Sequence, residues 1–267
     1  MKNIIIYTAF IFLSSPIYAS SMENLLATSQ GISSPSITSN INYSNGYTKE
    51  NPSGVAYQDA YRLSLQFDTG DHDDNSNTPD VDGTGVEAGV GNGSYGLAVG
   101  YYDRDCNGCD SAVAGALGAF LGNFGLGIRF EEDIYSMGFL INPKGTHRIG
   151  LAVDLNDPNG NDNNITSYGL GYSYVNPNFT FSIDASKQDH ENSSVNDDVI
   201  LVSPGLSVRV KMIGLTVTHD SYMNEPDNSN LDDEIWWGVG VGEGSQWHVA
   251  VYNDFVNQWT FVGTLFF

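Results

Sequence analysis

The last ten residues, Gln258-Trp-Thr-Phe-Val-Gly-Thr-Leu-Phe-Phe267, alternate strictly. Phe267, Leu265, Gly263, Phe261 and Trp259 fall on one face, and Phe266, Thr264, Val262 and Thr260 on the other. A period of two kept over ten residues is long for a strand of a soluble sheet and suits one that crosses a bilayer at a tilt. From Ala60 onward the same period recurs between turn clusters, over 60–68, 84–91, 94–103, 111–121, 124–132, 134–142, 147–155, 165–175, 179–187, 198–208, 211–221, 234–242, 246–253 and 257–267. This predicts fourteen strands, an even number, as single-chain bacterial barrels require. The connections at 132–134 and 254–257 are so short that merging strands across them would leave twelve.

The polarity of the two faces predicts which solvent each meets. One set of stripes reads Tyr61/Leu63/Leu65/Phe67, Tyr95/Leu97/Val99/Tyr101, Ile149/Leu151/Val153/Leu155, Tyr168/Leu170/Tyr172/Tyr174 and Trp247/Val249/Val251, with aromatic residues gathered near the stripe ends. The opposite positions carry Arg62/Ser64/Gln66, Glu87, Arg129/Glu131, Arg148/Asp154, Ser182/Asp184 and His248, among many Gly, Ser and Thr. Oily outside and polar inside is the reverse of a water-soluble barrel, and it is stable only where the outer solvent is lipid.

Connection lengths point the same way. Long ones at 68–82, 103–111, 156–164, 188–198 and 222–234 alternate with tight turns such as Gly122-Asn123 and Asn176-Pro-Asn178. Short periplasmic turns against long external loops is how outer-membrane barrels are built. The five long connections hold 20 of the 32 acidic residues and a single basic one, Arg104, whereas Lys144, Arg148, Arg209 and Lys211 cluster at the tight turns. The predicted external rim is therefore strongly acidic.

Composition and the N-terminus set the compartment. Lys2, the apolar run Ile4 to Leu13 and the small residue at the end of Ile17-Tyr18-Ala19 predict a signal peptide over 1–19. Export then leads to the bacterial outer membrane, with membrane lipid, lipopolysaccharide and the barrel-insertion machinery as expected partners. The formal charge of −22 argues against nucleic acid, whose phosphates would be repelled. Cys106 and Cys109, three apart in an exported chain, are expected to form a local disulfide. Residues 20–59 do not read as strand and are expected to be periplasmic or to plug the lumen, leaving 60–267 as a single all-β, transmembrane antiparallel barrel.

Three kinds of chemistry are open to these residues. The inward charges Arg62, Glu87, Arg129, Arg148, Asp154 and Asp184 could line a path for solutes, or could pair with one another and fill a lumen that conducts nothing. Thr218-His219-Asp220-Ser221 places His219 and Ser221 on the lipid-facing parity at a strand end, with Glu234 or Asp233 near in sequence as a third group. A Ser with a His base and an acid to orient it is the constellation of a hydrolase, and this pair resembles the outer-membrane phospholipase A and lipid A deacylase sites. Those families follow the Ser with Asn where this chain has Tyr222. Asp71, Asp73, Asp80 and Asp82 offer hard oxygen ligands at close spacing that could hold Ca²⁺, although they do not form an EF-hand loop.

A resemblance adds to the transport reading. Asn51-Pro52-Ser53-Gly54, immediately ahead of the first strand, resembles the Asn-Pro-Ala-Gly motif of the long-chain fatty-acid outer-membrane transporter family. The resemblance implies a fourteen-stranded barrel with residues 20–59 as a lumenal hatch, passing hydrophobic small molecules. Ser53 stands where that family has Ala, and this chain is smaller with shorter loops. The alternatives to transport are a non-conducting surface barrel that works through its acidic loops and, further off, the lipid hydrolase.

Overall fold

The computed structural model describes residues 31–33, 35, 51–70, 82–105, 111–131, 134–156, 165–190, 199–223, 233–243, 246–253 and 258–267. Fourteen strands follow one another: β1 Tyr61–Gly70, β2 Asp82–Gly91, β3 Tyr95–Asp105, β4 Ala112–Leu121, β5 Phe124–Glu131, β6 Ile134–Ile141, β7 His147–Asn156, β8 Ile165–Asn176, β9 Phe179–His190, β10 Ile200–Val210, β11 Ile213–Met223, β12 Glu234–Glu243, β13 Trp247–Asn253 and β14 Gln258–Phe266. Each pairs antiparallel with its sequence neighbours, and β14 pairs with β1 to close the barrel. At the seam, Arg62 stands opposite Phe266 and Gly70 opposite Gln258. Tyr61 and Phe267 exchange backbone hydrogen bonds of 3.3 and 2.9 Å beyond the last ladder pair.

Twelve strands are excluded. Glu131 pairs with Ile134 and Asn253 with Trp259, so both short connections reverse the chain. They lie at the same end as the five long ones, so the connections on that side differ in length around the rim. The predicted bounds hold within a few residues. The differences fall mostly at the long-connection ends, where β2 starts at Asp82 and β9 runs to His190 because polar residues there still find ladder partners.

Side chains alternate as the pattern requires. Along β1, Leu65 and Phe67 are 46 and 52% exposed while Arg62 and Ser64 are 2 and 5% exposed. The stripes on β3, β7 and β8 face outward in the same way. Aromatic residues band both ends. Trp237 and Trp259 meet edge-on at 5.8 Å near the long-connection end, and Tyr174 and Phe179 lie 5.5 Å apart near the other. Amphipathic rings belong at those two membrane–water interfaces.

The tight turns supply the backbone freedom that short reversals need. Gly122 takes φ +64 in the two-residue turn between Leu121 and Phe124, a conformation open to glycine at no steric cost. Lys211 takes φ 57 in the equivalent turn after Val210, and its carbonyl accepts the Arg209 Nε–H at 3.1 Å.

The lipid-facing stripe carries a depth-dependent expectation. Leu151→Arg, at mid-strand of β7, should cost about 2–4 kcal/mol in urea titrations of protein refolded into phospholipid vesicles, whereas Leu155→Arg near the rim should cost less than about 1 kcal/mol.

Candidate functional site

Inside the barrel, five glycines stand directly opposite one another on consecutive strands: Gly91, Gly96, Gly118, Gly127 and Gly138, from β2 to β6. They form a track free of side chains, and the 3-10 helix Pro52–Tyr57 lies along it. A methyl group on Gly96 would fall on the Val55 carbonyl, one on Gly127 on the Ser53 amide, and one on Gly138 on the Asn51 side chain. At Gly118 it would come within 2.9 Å of the Ala56 nitrogen. Glycine in a strand marks a close approach of another backbone, and here the approaching backbone is the chain's own N-terminal segment. Gly150 and Gly171, paired across β7 and β8, make a second recess under Ile32 and Ser33.

Local sequence shapes the segment. Asn51 caps the 3-10 helix from an extended conformation, its side-chain oxygen accepting from the Ser53 amide at 3.1 Å and the Ser53 hydroxyl at 2.6 Å. Pro52 follows at the first helical position, where a missing N–H costs nothing. The Asn51 amide nitrogen donates the other way, to the carbonyls of Ile32 at 3.0 Å, Phe139 at 3.0 Å and Leu151 at 3.2 Å. One side chain thus joins the 3-10 helix, the Ile32 segment, β6 and β7.

Two further anchors flank it. Asp184 Oδ1 on β9 accepts from the Ser33 hydroxyl at 3.0 Å and the Ser33 amide at 3.3 Å, and the Ser173 hydroxyl donates to the Ser33 carbonyl at 3.0 Å. Toward the short-turn end, Tyr57 donates to the Pro143 carbonyl at 2.6 Å, accepts from Arg148 at 3.0 Å and packs edge-on against Phe120 at 4.6 Å. Ile32, Pro35, Pro52, Val55 and Ala56 are the buried apolar side chains of the described part of this segment, and they seat it together with the polar contacts and the backbone fit to the glycines.

The other charged positions face inward. Arg62 pairs with Glu87 and Arg129 with Glu131; Arg148 serves Tyr57 and the Gly145 carbonyl; Asp154 sits opposite Ser136 and Ser167. Sequence reasoning missed Asp68, which continues the inward parity of Arg62, Ser64 and Gln66. It accepts from Tyr102 and Thr260, each at 2.5 Å, and from Gln66 at 2.7 Å. Tyr102 reaches it from β3 by lying over Gly83 of β2. His248 is buried with no hydrogen bond to either ring nitrogen.

Among the described residues, the wall has one interruption that sequence reasoning also passed over. Between β10 and β11 the ladder pairs Val202 with Ser221 and Gly205 with Thr218, and skips Ser203 and Pro204. On the β9 side both residues remain paired, with Asp184 and Ile183. Proline has no N–H to give, and a closed barrel has no edge strand on which to place it. The Ser203 hydroxyl bridges the gap to Asp220 at 2.6 Å.

On the outer side of that gap, the candidate hydrolase residues meet in the wrong order. Ser221 donates to Asp233 Oδ2 at 3.2 Å, and His219 Nε2 lies 3.8 Å from the same oxygen. Asp233, not Glu234, is the third group, and it takes the hydroxyl that a base would have to take. Glu234 points inward and accepts from Trp236 at 3.3 Å. Of the calcium candidates, Asp82 is exposed at the start of β2, while Asp71, Asp73 and Asp80 lie outside the described residues, as do Cys106, Cys109 and the signal peptide.

No protein-family model matches the chain, and no curated protein matches it either. Among solved structures, it is similar to the CymD monoaromatic hydrocarbon channel over 95% of this chain and 99% of that one, with a TM-score of 0.56 at 10% identity. It is similar to the TodX deltaS2S3 mutant monoaromatic hydrocarbon channel over 89% of this chain and 96% of that one, with a TM-score of 0.54 at 9% identity. These likenesses establish the architecture: a closed fourteen-stranded antiparallel barrel of the outer-membrane type.

The glycine track makes a specific expectation. Gly127→Val should leave a folded, heat-modifiable barrel but expose the N-terminal segment to added protease in detergent. Asn51→Ala should do so more weakly, on the scale of about 1–3 kcal/mol for stranded polar partners. Limited proteolysis followed by N-terminal sequencing checks both.

Proposed function

We propose that this protein is an outer-membrane channel for passive transport of hydrophobic small molecules, with the N-terminal segment acting as its hatch. The observation that carries this reading is the glycine track. A segment meant only to fill the lumen would interlock side chains with the wall, as protein cores do. This one rests backbone on glycine, with polar anchors at Ser33, Asn51 and Tyr57 and limited apolar contacts, Val55 on Ala98 and Ala116 and Tyr57 on Phe120. Such a contact can be released without repacking the barrel. The interruption at Pro204 supports the same reading, because a wall lacking ladder bonds there is the easiest place for an apolar solute to leave sideways into lipid.

Further support comes from the structures the fold resembles, among them two monoaromatic hydrocarbon channels, and from the Asn51-Pro52-Ser53-Gly54 resemblance to the fatty-acid transporter family. The geometry at Ser221 does not favour the hydrolase, since the nucleophile is tied to a carboxylate rather than to its base.

Uptake of a labelled aromatic hydrocarbon by cells lacking their own channels tests the reading. Expression of the protein should raise uptake several-fold, and Asn51→Ala should raise it further by loosening the seat. Wild-type uptake equal to that of an empty vector would leave the non-conducting surface barrel as the better account.

A further inference from the structure

The charges on the inner wall are sorted by height. Asp68, Glu131, Asp154, Asp220 and Glu234 all face inward and stand within three residues of the long-connection ends of β1, β5, β7, β11 and β12. Arg62, Arg148 and Arg209 stand at the opposite, short-turn ends of β1, β7 and β10. Two arginines stand near the acidic end: Arg129 is engaged with Glu131, and Arg104 lies one residue from the long-connection end of β3. Five strands spread around the barrel therefore contribute inward-facing carboxylates to one collar.

Two details show that the sorting costs something to hold. Asp220 and Glu234 are direct cross-strand partners on the same inward face. Like charges placed opposite one another destabilise a sheet, so packing alone would not select this pair. Deeper in, Asp184 is 5% exposed, with Oδ1 taken by Ser33 and Oδ2 without a hydrogen-bond partner. Outside the collar, Asp82, Asp103, Asp189 and Asp233 are exposed at the same end. A solute entering from that end meets negative potential at the rim and at the collar. Rings of carboxylates set charge selectivity in this way, and the confined geometry focuses their field.

We propose that this barrel discriminates by charge, admitting uncharged and cationic small molecules and rejecting those that carry a carboxylate. It rests on the transport reading above and narrows its substrate class: an apolar solute is accepted, but a fatty-acid anion is not.

Two measurements on the full-length protein test this. In planar bilayers under a tenfold KCl gradient, the reversal potential should correspond to K⁺ over Cl⁻ by at least about fivefold, and Asp220→Asn/Glu234→Gln should bring the ratio toward one. In zwitterionic detergent, calorimetric binding of benzylammonium should exceed that of benzoate by about tenfold at low salt and converge as salt is raised. Anion selectivity, or benzoate binding equal to or tighter than benzylammonium, overturns the proposal. Loss of the transport reading shows separately, as absent hydrocarbon uptake in cells, and the binding comparison then still decides the charge preference because it needs no conduction. A folded double variant, confirmed by heat-modifiable migration, that keeps the wild-type ratio would also overturn the assignment to these two residues.

Discussion

Everything in this molecule follows from the need to pair each backbone N–H and C=O where the surrounding solvent cannot. In hydrocarbon an unpaired peptide group costs several kcal/mol, so a sheet in lipid must close on itself. The mutual hydrogen bonds between Tyr61 and Phe267 are the local form of that demand, carrying the seam past its last regular pair. The same demand gives Pro204 its meaning. In a soluble sandwich a proline at an edge is ordinary; in a closed wall it subtracts a bond that nothing across the ladder can replace, and Ser203 and Asp220 make up part of the loss with side chains.

Glycine has a second, independent role. Along β2 to β6 it is present for what it lacks. Removing side chains from five consecutive inner-wall positions lowers the wall by the depth of a side chain along one line, enough to admit a peptide backbone. Elsewhere the same device admits an aromatic ring, as where Tyr102 lies over Gly83 and Tyr252 over Gly238. In the second case the ring ties strands together; in the first the occupant belongs to a separate segment. The chemistry of what lies on the glycine separates a fastening from a seat.

The strand count and facing were legible in the sequence because the outer solvent enforces an apolar period of two along most of each strand. That constraint is local, so Tyr61, Leu63, Leu65 and Phe67 announce it within one strand. The glycine track was not legible, since Gly96, Gly118, Gly127 and Gly138 become a line only once the register of four strands is known. The Asn51 motif was visible as a pattern, but its three carbonyl partners lie on segments far apart in the chain. Asp68 was within reach, because its parity matched Gln66; it fell on the boundary between the predicted strand 60–68 and the connection 68–82, whereas β1 in fact runs on to Gly70. Choosing between Asp233 and Glu234 turned on which face each occupies, and a single-residue difference at a strand start decides that.

The seam has a consequence for assembly. Its two strands are the first and last of the barrel, so the wall cannot be sealed until the whole chain is available, and this pairing is the longest-range contact in the fold. The segment on the glycine track enters from the N-terminal side of β1, next to that seam. It must be enclosed while the barrel is still a curled, open sheet, or be threaded inward after the join is made. The order of these two events decides whether the occupant serves as a mould around which the strands gather or is a late arrival.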